Sequence, residues 1–178
     1  MTRMVALLRA VNVGGRKLPM ADLRQICAEM GWEGVSTYIQ SGNLLFSSSG
    51  KPAANEAALE RAIEEGSGMK VPVMVRTASA WSTLRSRNPF PDAARDQPSR
   101  LMLIVSKVPP AAGAEDIIQR RAAANEKVKR SGDAIWIYYP DGAGRSKLTP
   151  VFIDRTIGSS ATARNYRTVV KIEELLAS

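Results

Sequence analysis

The chain has 178 residues, 44% of them hydrophobic and 24% charged. That is enough to bury about 70% of its extended surface as one large or two small domains, and it excludes bulk disorder and a fibrous class. Net charge is +8 with a pI near 10.0, and the excess is shared between the halves: 12 basic against 9 acidic residues before Ser99, 13 against 8 from it onward, so neither half is a basic tail.

Residues 4–11 form an apolar run broken by Arg9 and followed by Gly14 and Gly15, the pattern of a largely buried strand. Pro19 suits the first turn of a helix whose apolar stripe is Leu23, Ile26, Cys27 and Met30 and whose stop is Gly31. Residues 35–40 and 43–47 are expected strands joined by a two-residue turn, Ser41-Gly42. That register pairs Gln40 with Asn43, Ile39 with Leu44 and Thr37 with Phe46. One face of the hairpin, Val35, Thr37, Ile39, Leu44 and Phe46, is then core. The other, Ser36, Tyr38, Gln40, Asn43 and Ser47, faces water or a ligand. The Ala, Leu and Glu content of residues 53–65 predicts a helix, and residues 71–76 read as a fourth strand. This order, β-α-β-β-α-β, is the ferredoxin-like pattern.

A helix over residues 79–87 follows, and residues 88–99, rich in Pro, Asp and Asn, read as the joining segment. The second half repeats the order: a strand at 101–105, a helix at 115–125, and strands near Val128 and at 134–139. A Gly-containing polar loop at 141–147 leads to a segment around 150–157 and a last helix at 168–176. Its final strand is weak or missing in the pattern. The expected fold class is α/β (α+β), a duplicated arrangement of two ferredoxin-like α/β subdomains, residues 1–96 and 97–178, the second ending in a helix.

No apolar run approaches the roughly 20 residues that span a bilayer. The stretch up to Arg9 leaves no room for a signal peptide, and a single cysteine suits a reducing compartment. A cytoplasmic location and no membrane partner are therefore expected. With no histidine, Ser-His-Asp and Cys-His systems and the common zinc sites are excluded, and neither metal nor cofactor is expected. Cys27 falls on the apolar stripe of its helix, which argues for a structural thiol. The pairs Glu64-Glu65 and Glu173-Glu174 point to different helix faces and read as solvated surface.

Residues 141–147 fail the Walker A pattern because Gly144 is followed by Arg145. A looser reading has the amides of this turn, with Arg145 and Lys147, holding an anion. Around Arg16 and Lys17 a helix begins without a capping side chain, which makes its first turn a second anion candidate. The strands lack the stacking aromatics of an RNA-recognition module, so sequence-specific nucleic-acid binding is not expected.

Four stretches occur in order: Leu7-Leu8-Arg9-Ala10-Val11-Asn12-Val13-Gly14-Gly15, Thr37-Tyr38-Ile39-Gln40-Ser41-Gly42-Asn43, Gly144-Arg145-Ser146-Lys147-Leu148-Thr149 and Arg164-Asn165-Tyr166-Arg167-Thr168. Together they resemble the bacterial family called domain of unknown function 1697, across essentially the whole chain. Ala10 stands where that family usually has Gly, Tyr166 where it has Trp and Arg167 where it has Asn, differences that matter if those positions touch a ligand. The resemblance implies two ferredoxin-like subdomains and no assigned activity, substrate or catalytic residue.

Polar residues gathered in loop motifs point to a pocket, binding or enzymatic, for a small anionic or phosphorylated molecule between the subdomains. Its candidate residues are Arg9, Asn12, Arg16, Lys17, Tyr38, Gln40 and Asn43 from the first half and Arg145, Ser146, Lys147, Arg164, Asn165 and Arg167 from the second. No residue set compels catalysis, although Lys147, Asp141 and Tyr38 are available as proton carriers. The alternative is a non-catalytic module for nucleic-acid backbone or a protein partner. A third reading makes the same residues a hydrogen-bonded joint.

Overall fold

The computed structural model describes residues 1–12, 14–15, 17–40 and 42–178. Strand β1 (Thr2–Leu8) lies between β3 (Asn43–Ser48) and β4 (Val73–Thr77), with β2 (Glu33–Tyr38) outside β3, all antiparallel, in the order β2-β3-β1-β4. Helices α1 (Met20–Glu29) and α2 (Pro52–Ser67) fill the two crossovers. The same plan recurs after α3 (Ala78–Ser86) and α4 (Pro91–Asp96). Strands β5 (Leu101–Ser106), β6 (Lys127–Ser131), β7 (Ala134–Tyr138) and β8 (Ala161–Asn165) take the order β6-β7-β5-β8, with α5 (Ala114–Arg121) and α6 (Pro150–Ile157) as crossovers and α7 (Tyr166–Ala177) at the end. These are two ferredoxin-like α/β subdomains.

The chain divides into two compact units, Met1–Trp81 with Ile172–Ser178, and Ser82–Lys171. The division falls within α3 and within α7. Residues 88–99, read from sequence as the joining segment, hold α4 and the start of the short 3-10 turn Pro98–Arg100.

Alternation along the strands builds each core. In the first unit Met4, Ala6 and Leu8 of β1, Leu44 and Phe46 of β3, and Val73 and Val75 of β4 meet Leu23 and Cys27 of α1 and Leu59 and Ile63 of α2. The Trp32 ring stacks on Phe46 at 3.9 Å. In the second unit Ile104, Ile135 and Ile137 meet Ile118 of α5 and Ile153 and Ile157 of α6. The opposite sheet faces are buried too: Val5, Leu7, Leu45 and Met74 in the first, and Leu101, Leu103 and Trp136 in the second, are all fully withdrawn from water.

Edge strands are ordinarily open to further pairing. On β4, β6 and β8 helix side chains occupy outward amides. Val73 and Val75 of β4 donate to Glu60 Oε1 and Glu56 Oε1 of α2, both at 2.8 Å, and Ala161 of β8 donates to Asp154 Oδ1 of α6 at 3.1 Å. On β6, Val128 donates to Gln119 Oε1 of α5 at 2.7 Å.

One expectation needs correction, and one segment of unspecified type is now assigned. The last strand of the second unit is present as β8. Its residues Ala-Thr-Ala-Arg-Asn are too polar to read as a strand in isolation, but β5 pairs along its whole length. The segment at 150–157 is helix α6, started by Thr149 Oγ1 accepting from Phe152 N at 3.3 Å with Pro150 in its first turn.

The hairpin register also differs. Tyr38 pairs with Asn43 and Thr37 with Leu44, two residues away from the expected pairing of Thr37 with Phe46. Ile39 has φ of 53° and is 48% exposed, so it leaves the strand. Asn43 Nδ2 donates to the Tyr38 carbonyl at 3.0 Å and closes the shorter ladder. A slip of two keeps each side chain on its face, which is why Leu44 and Phe46 still reach the core. The two-residue turn also included Ser41, which lies outside the described residues.

Gly42 is fixed by sterics. Its φ is +77°, and a Cβ there would stand 2.6 Å from Val11 Cγ2 and 2.8 Å from Leu8 Cβ. Gly42→Ala is expected to cost about 2–4 kcal/mol, combining the left-handed penalty with overpacking. A urea midpoint equal to that of the wild type would contradict this.

Candidate functional site

In the first unit the end of β1, the end of β2 and the start of β3 come to one pole of the sheet. Asn12, itself at φ 57°, works there as a clasp. Its Nδ2 donates to Leu18 O and Gln40 O, both at 3.0 Å, and its Oδ1 accepts from Leu18 N at 2.9 Å. Both amide protons are thus spent on backbone. Leu8 N donates to Gly42 O at 2.8 Å and Arg9 N to Pro72 O at 3.0 Å. Asn43, expected on the ligand or water face, is fully buried. The structure therefore brings Asn12 to Gln40 and Asn43 to Tyr38. Arg9 is half-buried, and burial lowers its guanidinium pKa. Lys17 and Gln40 are exposed. Arg16 lies outside the described residues.

In the second unit, β7 and β8 both end beside the start of β5, where Leu101 pairs with Tyr138 and Met102 with Asn165. The loop after β7 bonds largely to itself: Gly142 N to Tyr139 O at 2.9 Å, Ser146 N to Ala143 O at 3.1 Å and Leu148 N to Ser146 Oγ at 3.2 Å. Asp141 accepts from Asn125 Nδ2, and Lys147 O accepts from Arg121 Nε at 3.3 Å. Those amides close the turn, while the Arg145 and Lys147 side chains are exposed.

Arg164 of β8 is only 6% exposed. Its Nη1 donates to Thr162 Oγ1 and Ala163 O, each at 2.8 Å, and burial pulls its pKa down to about 10. Asn165 Oδ1 accepts from Thr168 N at 3.0 Å and caps α7. Arg167 is exposed on the first turn.

Next to this junction is an open groove of about 480 Å³ lined by Arg85, Ser86, Asn88, Pro91, Ala94, Arg95 and Tyr166. The Tyr166 ring packs against the fully buried Trp136 at 6.2 Å and 49°. Asn88 fixes the chain entering α4, accepting from Phe90 N at 2.9 Å and donating to Phe90 O at 3.3 Å. Arg95 is paired with Asp96 at 2.8 Å and Asp92 at 3.1 Å. The ionised lining residues are two arginines, with no carboxylate. Sequence reading missed Arg85, Asn88 and Arg95, because they fall on or beside a polar stretch that resembles a linker. The available signal was Tyr166, inside the motif that also holds Arg164 and Asn165. Among the described residues no group of Cys, Asp and Glu stands where it could hold a metal ion, and no helix is long and apolar enough to cross a membrane.

Cys27 is fully buried, and desolvation pushes its thiol from 9.0 up to about 12. A raised thiol pKa favours the fold fully below about pH 9, and that contribution is lost as pH rises toward 12. A thiol reagent at pH 8 is expected to label Cys27 slowly in the native protein and rapidly in urea; rapid native labelling would contradict its burial. Arg164→Ala is expected to lower stability by about 1–3 kcal/mol, since it removes a buried, hydrogen-bonded side chain. An unchanged urea midpoint would refute a structural contribution from Arg164.

Residues 1–136 match the model of the family described as protein of unknown function (DUF1697). Among curated proteins none matches significantly. Among solved structures, the conserved bacterial protein SP0830 from Streptococcus pneumoniae is similar, with 22% identity over 98% of each chain and a TM-score of 0.76. That likeness establishes a shared fold. The family model spans most of this chain and carries the Arg9 to Asn12 and Tyr38 to Asn43 stretches, and the chain belongs to the DUF1697 family.

Proposed function

We propose that the protein binds a small anionic, phosphorylated molecule in the groove formed by the end of α3, by α4 and by the first residue of α7. The observation that carries this reading is the charge of the lining: Arg85 and Arg95 face the groove and no carboxylate does. Its volume falls within the 300–1,000 Å³ of small-molecule sites. Arg95 is held by Asp96 through two hydrogen bonds, at 2.8 and 2.9 Å, and by Asp92 at 3.1 Å, so a phosphate engages Arg85 and competes with these solvent-exposed carboxylates for Arg95. Guanidinium groups suit phosphate because their planar donors match two of its oxygens. The lining has a hydroxyl, an amide and an aromatic ring but no carboxylate, thiol or imidazole, so the reading is one of binding.

A ligand that binds only the native state raises stability by mass action. At ten times its dissociation constant, phosphate should raise the melting temperature by roughly 3–6 °C over chloride at matched ionic strength. The double variant Arg85→Ala with Arg95→Ala should lose that rise. Equal midpoints in phosphate, sulfate and chloride would contradict the proposal.

A further inference from the structure

We infer that the ligand of this groove carries a planar ring joined to its phosphate, the pattern of a nucleoside monophosphate. The inference rests on the anion-binding reading above and adds a second element of recognition to it.

The two units supply an internal control for what the fold itself requires. Arg76 of β4 lies opposite Val5 of β1, and Arg164 of β8 lies opposite Leu103 of β5. Arg76 Nη1 donates to Val75 O and Arg164 Nη1 to Ala163 O, each at 2.8 Å. The residue after each arginine caps the helix that follows: Thr77 Oγ1 accepts from Ala80 N at 3.1 Å, and Asn165 Oδ1 from Thr168 N at 3.0 Å. The first helical residue is then Ala78 in one unit and Tyr166 in the other. The neighbouring strand carries Leu45 opposite Val5, and Trp136 opposite Leu103. In the first unit the positions of Tyr166 and Trp136 are thus held by Ala78 and Leu45, and the aromatic of that joint, Trp81, lies three residues further along α3 and is fully buried. The Trp136 and Tyr166 pair is an addition of the second.

That addition meets the groove directly. Trp136 is fully buried and braces the Tyr166 ring, while Tyr166 itself is half-exposed and lines the groove. A ring held by packing beneath it loses little freedom when a second ring stacks on it. Pro91 and Ala94 continue the apolar part of the wall, and Arg85 and Arg95 are its charged part. A free phosphate or sugar phosphate would use only the arginines. A ligand carrying both a planar base and a phosphate uses the whole lining.

Calorimetric titration of the full chain with AMP, UMP, ribose 5-phosphate and inorganic phosphate tests this. At least one nucleotide is expected to bind about tenfold or more tightly than ribose 5-phosphate. Tyr166→Ala should remove that advantage, a loss of roughly tenfold to a hundredfold by the usual weight of base stacking. Tyr166→Phe, which keeps the ring, should retain it and guards against a folding defect in the alanine variant. If both nucleotides bind no better than ribose 5-phosphate, the ring inference is overturned while the anion reading stands. If no phosphate compound binds, or if Arg85→Ala with Arg95→Ala leaves all of them unchanged, the anion reading itself is overturned, and this inference with it.

Discussion

The central strands β1 and β5 are paired on both edges and buried on both faces, and this constrains where charge can be placed in each unit. Met4 to Leu8 have almost no exposed surface, and neither do Leu103 to Ser106. A strand so enclosed tolerates only apolar or small side chains, because a buried polar group must be hydrogen-bonded or cost the fold. Charge is accordingly displaced to edge strands, strand ends and helices. Arg76 and Arg164 sit on β4 and β8, each an edge strand, and each is held by the carbonyl of the residue before it. The edges in turn are closed by Glu56, Glu60, Asp154 and Gln119. Those carboxylates and that amide are structural, so they are unavailable for chemistry.

Duplication lets the two units be compared residue by residue. Where they agree, as in the edge arginine, the capping residue after it and the helix-borne acid on the last strand, the shared feature belongs to the fold. Their differences mark what is particular to each unit. The first has spent its loop polarity on the clasp of Asn12 and on Gly42, with Ala10, Asn12 and Ile39 all at positive φ around one pole. Strain of that kind is kept only where surrounding bonds over-determine it. The second has placed an aromatic pair and two arginines around a groove at the end of its last strand.

Much of the architecture was legible in the chain because strand and helix periods differ. The run at Met4 to Leu8, the stripe of Leu23 and Cys27 and the Ala-rich α2 each carry a plain period. The failures have local causes. Ile39 is apolar and β-branched, so it reads as strand, and only its backbone conformation takes it out. The residues of β8 read as coil because their strand state comes from pairing with β5. The candidate residues were recognisable as polar loop positions, but the sequence does not show which loop amides are already bonded, and Asn12 and Ser146 illustrate the difference. The groove was hidden for another reason: Arg85, Asn88 and Arg95 share one short polar stretch that reads as a linker, and Tyr166 is far from them in sequence, so only folding brings the ring to the arginines.

In the proposed reading the second unit carries the binding site, at the junction of β8 and α7 rather than at the loop pole of the first unit. Amide chemical-shift mapping during titration with AMP measures this directly. Perturbations are expected at Arg85, Ser86, Asn88, Arg95, Tyr166 and Arg167 that saturate together, with Arg9, Asn12, Gln40 and Asn43 unmoved. Perturbations confined to those four, with the groove residues silent, would contradict it.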